Sequence, residues 1–176
     1  MIRFATETDL EAILVIYNDA ILTTTAVYTY KAKDLQERKE WFLAKHEKGY
    51  PIWVYEKEHR VAGFATYGSF RSNPAYKYTI EHSIYVHKDF QKQGIGSILL
   101  QTVINGAQEK GYATIVAGID ASNANSIHLH EKLGFSSAGI VKKAGYKFGQ
   151  WLDLAFYQLM LDGPANPTEE WFYLYM

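Results

Sequence analysis

Gly94 and Gly96 lie in the stretch Gln91-Lys92-Gln93-Gly94-Ile95-Gly96-Ser97, between a strand pattern and a helix pattern. Glycines there let the backbone turn tightly while several N–H groups and the helix dipole face outward, which suits a phosphate or diphosphate. Three readings compete. A dinucleotide site wants a third glycine where Leu99 stands; Asp120 lies near the place of a ribose-binding acid, but the chain lacks room for a full nicotinamide enzyme. A nucleotide P-loop needs Gly-Lys-Ser or Gly-Lys-Thr, and Gly96-Ser97 has no such lysine. The third reading is a tight turn shaped by glycine and nothing more. Glu81 is the acid of a strongly alternating segment, with Ile80, Ile84 and Val86 on one face and Glu81, Ser83 and Tyr85 on the other. It is either a base facing a cleft or a solvated, salt-bridged strand glutamate. Arg71 precedes that strand in a loop with Asn73 and Pro74, and a guanidinium binds a carboxylate through two parallel hydrogen bonds. His128 and His130 point to different sides of a helix and no third ligand cluster accompanies them, so no metal is expected.

The elements that must hold these residues are legible from periodicity. Thr8-Asp9-Leu10-Glu11 reads as a capping box opening a helix over about 9–20, with Leu10, Ile13, Leu14, Ile16 and Tyr17 at helical spacing. Asp34-Leu35-Gln36-Glu37 opens a second helix, carrying Leu35, Trp41 and Phe42 and ending near Gly49. Residues 23–30 between them are an ordered loop or short strand. Strands at 52–56 and 60–67 form a hairpin around Lys57-Glu58-His59. Residues 70–77 are a loop, 78–87 a central strand, and 94–110 a helix presenting Ile95, Ile98, Leu99 and Val103 to the core. A strand at 113–119, a short helix at 125–133 and strands at 135–142 and 151–161 complete a β-α-α-β-β-β-α-β-α-β-β order, a mixed α/β sheet with helices on it.

Composition narrows the function class. With 176 residues and 48% hydrophobic content, one domain with a real core fits and two would be cramped. Lys+Arg (18) nearly balance Asp+Glu (19), so no global field draws in nucleic acid or an anionic membrane. The absence of cysteine excludes a disulfide framework, a thiol nucleophile and thiolate zinc sites. The N-terminus has no basic-then-apolar signal run, and no apolar stretch approaches the ~20 residues that span a bilayer, so a cytoplasmic protein is expected. Aromatic residues make up 15%, tyrosines numbering 14, and fit a core and a subunit interface better than a base-stacking surface.

Joined to Asn123-Ala124-Asn125-Ser126-Ile127-His128-Leu129-His130-Glu131-Lys132-Leu133-Gly134-Phe135, the glycine segment resembles the GNAT superfamily of acyl-CoA N-acyltransferases. Gln91, Gly94 and Gly96 match that family's (Gln/Arg)-x-x-Gly-x-(Gly/Ala) signature. Asn123, Gly134 and Phe135 match its second. A narrower likeness lies in Thr79-Ile80-Glu81-His82-Ser83-Ile84-Tyr85-Val86, Leu129-His130-Glu131 and Gly145-Tyr146-Lys147-Phe148-Gly149-Gln150-Trp151-Leu152-Asp153, which look like the phosphinothricin and methionine-sulfoximine acetyltransferase branch. The likeness covers nearly everything from Ile2 to Leu161.

The resemblance implies a GNAT fold with a mixed, mostly antiparallel sheet of six to seven strands flanked by about four helices. It implies acetyl-CoA as cosubstrate, lying along Tyr85, Val86 and His87, with its diphosphate over Gln91, Lys92, Gln93, Gly94, Ile95, Gly96 and Ser97 and its pantetheine beside Asn123 and Ser126. It implies Glu81 as the base, directly or through water, and His130 as acid or second base. Backbone N–H groups around Tyr85 and Val86 would meet the oxyanion. Arg71 aligns with a basic group of the branch's acceptor loop, whereas Asn73 replaces a second arginine. Tyr28, Tyr76 and Tyr78 are candidate pocket walls, or general packing aromatics. The implied partners are a small-molecule amine and a second copy of the chain in a homodimer. The expected reaction is N-acetylation of an amino-acid-like amine. The alternatives are a GNAT enzyme for a polyamine, an aminoglycoside or a protein N-terminus, and a non-catalytic acyl-CoA-binding module. The domain is expected over 1–161, followed by a tail, 162–176, that either docks on a partner subunit or frays.

Overall fold

The computed structural model describes residues 1–170; the tail's aromatic run at 171–175 lies outside them. Seven strands form one sheet: β1 (Ile2–Phe4), β2 (Ile52–Lys57), β3 (Arg60–Ser69), β4 (Thr79–Val86), β5 (Thr114–Asp120), β6 (Ser136–Lys147) and β7 (Gln150–Met160). Their spatial order is β1-β2-β3-β4-β5-β7-β6, and every neighbouring pair is antiparallel except β4 with β5. Four α-helices accompany them, α1 (Leu10–Thr23), α2 (Leu35–Glu47), α3 (Ile95–Glu109) and α4 (Ala124–Lys132), in the expected chain order.

Both faces of the sheet are covered over β2 to β4, while β6 is exposed along most of its length. Leu99, Leu100 and Val103 of α3 bury against Ile80, Ile115, Ala117 and Trp53, while Ile13 and Ile16 of α1 bury against Val54 and Phe64 on the other side. Helix α3 sits so close that a Cβ on Gly106 would lie 2.7 Å from the Trp53 ring, which requires glycine there. The central strand β4 therefore has elements packed on both faces, with Ile80 buried and the rest of the strand half-buried. Tyr85 stacks edge-on against Tyr17 of α1 at 5.4 Å and lies 5.1 Å from Phe64.

Several local expectations shift. The first capping box is built by Thr6 and Asp9, not Thr8 and Glu11, around a 3₁₀ turn (Glu7–Asp9) that precedes α1. Asp9 wins because its carboxylate also takes a bidentate pair of bonds from Arg3 at 2.8 and 2.9 Å. The second box, Asp34 with Glu37, forms as expected. Ile98 lies on the solvent side of α3, 42% exposed. Residues 24–30 form a loop, and β6 runs on to Lys147 rather than stopping near 142.

That longer strand positions a buried lysine. Lys147, 4% exposed, sends its ammonium to three carbonyls: Ile21 at 2.6 Å, Thr24 at 2.8 Å and Val27 at 2.8 Å. One cation thus caps the C-terminal turn of α1, where the helix dipole favours it, and pins the loop that follows. Of the tail, residues 162–170 lie against their own chain. Asp162 accepts from Gln108 at 2.6 Å, and the Thr168 amide donates to the Tyr78 hydroxyl at 3.1 Å.

Candidate active site

The site is a consequence of strand geometry. Parallel pairing between β4 and β5 covers only Thr79, Ile80 and Glu81 against Thr114, Ile115 and Val116; beyond it the strands diverge, and β5 continues to pair with β7 as far as Asp120. The gap is a cleft of about 450 Å³. It gathers Glu81, Tyr85, Val86, Gln91, Gly96, Asn123, Ser126 and His130, far apart in sequence, together with His82, Ser83, Ile84, Gly118 and Asp120.

Backbone amides line the open side of β4. The amide of His87 donates to Ala62 and that of Phe70 to Thr79, so antiparallel alternation commits the odd-numbered residues of β4 to β3. The N–H of His82 closes the parallel ladder on Val116, and those of Ile84 and Val86 then face the gap. Of the two amides expected there, Val86 fits and Tyr85 belongs to the β3 ladder. Ile84, which sequence reading passed over, takes its place; only the register, absent from a single sequence, distinguishes them.

Glu81 is half-buried, and its carboxylate lies across the gap over β5, where a Cβ on Gly118 would come within 3.2 Å of its Oε1. A side chain at 118 would crowd the acid. Burial pushes the Glu81 carboxyl above its ordinary range, and the positive charge of Arg71 pulls it part of the way back. Arg71 itself is exposed, its guanidinium 5.0 Å from the Phe70 ring. His130 is 4% exposed; its Nδ1 lies 2.7 Å from the Ser126 carbonyl and its Nε2 2.9 Å from Nε2 of His82.

The start of α3 has the form a diphosphate needs. Gly94 caps it with φ of 79°, a left-handed conformation suited to glycine, and the first amides of α3 have no partner within the helix. A Cβ on Gly96 would meet Leu129 at 3.5 Å and Val86 at 3.9 Å, filling the slot between β4 and α4. Gln91 borders the cleft, but Lys92, Gln93, Gly94 and Ser97 do not line it. Gln93 is held by Lys57 at 2.5 Å, and Ile95 is buried in the core. His87 caps the short turn before α3, accepting from the Asp89 amide at 3.2 Å, and borders grooves beside α1 instead. Asn123 uses its Oδ1 to cap α4 through the Ser126 amide at 3.1 Å, leaving its amide nitrogen for a ligand.

The expected acceptor residues are more scattered. Tyr28 packs over Gly145, whose added Cβ would lie 2.7 Å from its ring. Tyr76 leans on Phe70, and Tyr78 is tied to the tail, while Asn73 starts a 3₁₀ turn (Pro74–Tyr76) in the exposed loop. Two further features went unread. Asp120 accepts from Thr25 and from Ser122 at 2.8 and 2.9 Å, fastening the loop after α1 to the end of β5. A second cavity, about 470 Å³, meets the cleft at Ser83 and Tyr85 and holds buried Arg38, stacked between Tyr17 and Trp41 at 4.1 and 4.5 Å.

Comparison with known proteins agrees with this geometry. The family model described as an acetyltransferase (GNAT) domain matches residues 2–156. The chain belongs to the GNAT acetyltransferase family. It is 44% identical over 166 residues to the L-methionine sulfoximine/L-methionine sulfone acetyltransferase of Salmonella typhimurium, covering 94% of this chain and 97% of that one. The crystal structure of an N-acetyltransferase from Staphylococcus aureus superposes with a TM-score of 0.91 at 58% identity, covering 92% of this chain and 98% of the other. A GNAT phosphinothricin acetyltransferase from Sinorhizobium meliloti, in complex with acetyl-CoA, gives a TM-score of 0.90 at 32% identity, covering 95% and 91%. Among GNAT enzymes, the relatives named for these two substrates form the branch that the residues around Glu81 and His130 resembled.

Proposed function

We propose that the protein acetylates the amine of a small amino-acid-like substrate of the methionine sulfoximine, methionine sulfone or phosphinothricin type, taking the acetyl group from acetyl-CoA in a ternary complex. The observation that carries this reading is the Glu81 carboxylate, held above its ordinary pKa inside the same gap that the α3 N-terminus overlooks. The residues fit the cosubstrate. Amides at Gly94, Ile95 and Gly96 suit the diphosphate, the slot left by the missing Cβ of Gly96 suits the pantetheine, and acetyl-CoA supplies an activated acyl carbon.

An amino-acid amine is mostly protonated at neutral pH and attacks only as the free base. Glu81, directly or through one water, takes that proton. The N–C bond forms as the C–S bond breaks, and the electron pair leaves on sulfur. Charge building on the carbonyl oxygen meets an amide of β4 facing the gap, from Ile84 or Val86. Arg71, close enough to Glu81 to act on it electrostatically, holds the acceptor's carboxylate.

Thiol release from acetyl-CoA is expected with at least one of phosphinothricin, methionine sulfoximine and methionine sulfone, in preference to spermidine or an aminoglycoside. Coenzyme binding without thiol release for any amine would instead mark a silent acyl-CoA module. Arg71→Ala should raise KM for the acceptor roughly tenfold or more, as loss of a charge-assisted pair does, and leave KM for acetyl-CoA within about twofold. Equal effects on both would remove Arg71 from the acceptor site. A homodimer is also proposed, supported by exposed Ile140, Val141, Tyr146, Phe148 and Trp151 along β6, β7 and the turn between them. Sedimentation as a monomer at micromolar concentration would rule it out.

A further inference from the structure

His82 shares the face of β4 that carries Ile80 and Ile84, opposite to Glu81, and its ring lies nearly parallel to that of His130, 14° apart with centroids at 5.0 Å. Phe135 closes the pair edge-on, 6.0 Å from His82 and 5.0 Å from His130. Both rings border the cleft.

The protons of this pair follow from its partners. A carbonyl only accepts, so the 2.7 Å contact with Ser126 puts a hydrogen on Nδ1 of His130. Two Nε2 atoms at 2.9 Å require one N–H and one lone pair between them. A neutral His130 has its lone pair on Nε2, so the hydrogen belongs to Nε2 of His82. That leaves Nδ1 of His82 bare, and this is the atom that is sealed from solvent and has no hydrogen-bond partner. An orphaned acceptor there costs less than an orphaned N–H would. Two independent constraints, one at each end of the pair, give the same arrangement.

We infer that His82 is a positioning residue that locks His130 as the neutral Nδ1–H tautomer, so the cleft presents an uncharged imidazole beside the reacting groups. Extra protons have nowhere to go. Nε2 of His130 is occupied by the bond from His82, and Nδ1 of His82 is enclosed. The charged groups of the cleft are engaged elsewhere. Tyr67 of β3 stands opposite His82, α3 presents Leu99, Leu100 and Val103 to this core, Asp120 of β5 is held by Thr25 and Ser122, Glu131 of α4 accepts from Tyr157 at 3.3 Å, and Glu81 faces the other way. The leaving thiolate then departs as the anion and collects its proton from solvent, which a group with a thiol pKa near 8.5 tolerates.

Imidazole ¹⁵N spectra of the wild-type protein test this without reference to turnover. The expected result is one protonated nitrogen per ring, Nδ1 on His130 and Nε2 on His82, unchanged from neutral pH to about pH 5.5. In His82→Leu, His130 should take up a proton on the way to that pH, so its ¹⁵N resonances should titrate where the wild-type ones do not. KM for acetyl-CoA should stay within about twofold. His82→Gln, whose side-chain amide can donate to the same nitrogen, should restore the wild-type ¹⁵N profile. A wild-type His130 that titrates near neutrality, or carries its proton on Nε2, overturns the inference, and so do coincident ¹⁵N titrations for wild type and His82→Leu. If His82→Leu does not fold, the wild-type spectra decide alone.

Discussion

Glu81→Gln is expected to lower kcat by about 100-fold or more at neutral pH, the range for loss of a general base, equivalent to about 2.7 kcal/mol of barrier. The substitution keeps the shape that fits over Gly118 and removes only the capacity to take a proton. Burial raises the wild-type carboxyl, so the acid limb of kcat/KM should lie above the ordinary glutamate range. Below that limb the carboxyl already holds a proton and cannot accept the amine's. In Glu81→Gln this limb should vanish, while KM for acetyl-CoA stays within about twofold. A pH–rate series in both proteins measures the difference, and unaltered turnover would remove Glu81 from the chemistry.

Lys147→Met should lower stability by about 2–4 kcal/mol, because two buried carbonyls and a half-buried one lose a charged donor at once. For a chain of this length that is roughly 5–15 °C in Tm. The effect should reach the active site. Residues 24–27 are pinned by this ammonium, and they contribute the Thr25 bond to Asp120 and the Ala26 wall of the cleft. Calorimetry and hydrogen exchange on the same variant check both halves. A protein with native Tm and unchanged protection across 21–27 would show that the three carbonyls find water instead.

The order of elements was legible because each long element carries its own period. Helix α3, for example, writes its buried face as Ile95, Leu99, Leu100 and Val103. The glycine turn and Glu81 were legible through residue type and spacing. What escaped depends on partners distant in the chain. His82 looks like any polar residue in a strand until α4 brings His130 to it, 48 positions away. Lys147 reads as a surface cation, yet its three acceptors lie more than 100 residues earlier. Arg38 is the one buried residue of α2, contrary to what charge suggests, because two aromatic rings clasp its guanidinium. The first capping box slipped by two residues because Arg3 lies too far from any periodic pattern to be read as Asp9's partner.

The divergence of β4 from β5 has a mechanical side. Strands β1 to β4 and strands β5 to β7 are joined within the sheet by a seam of only three parallel residue pairs, with helix packing bridging the rest. A molecule seated in the wedge would touch both halves and act as a cross-tie, so filling the site and stiffening the scaffold become a single event.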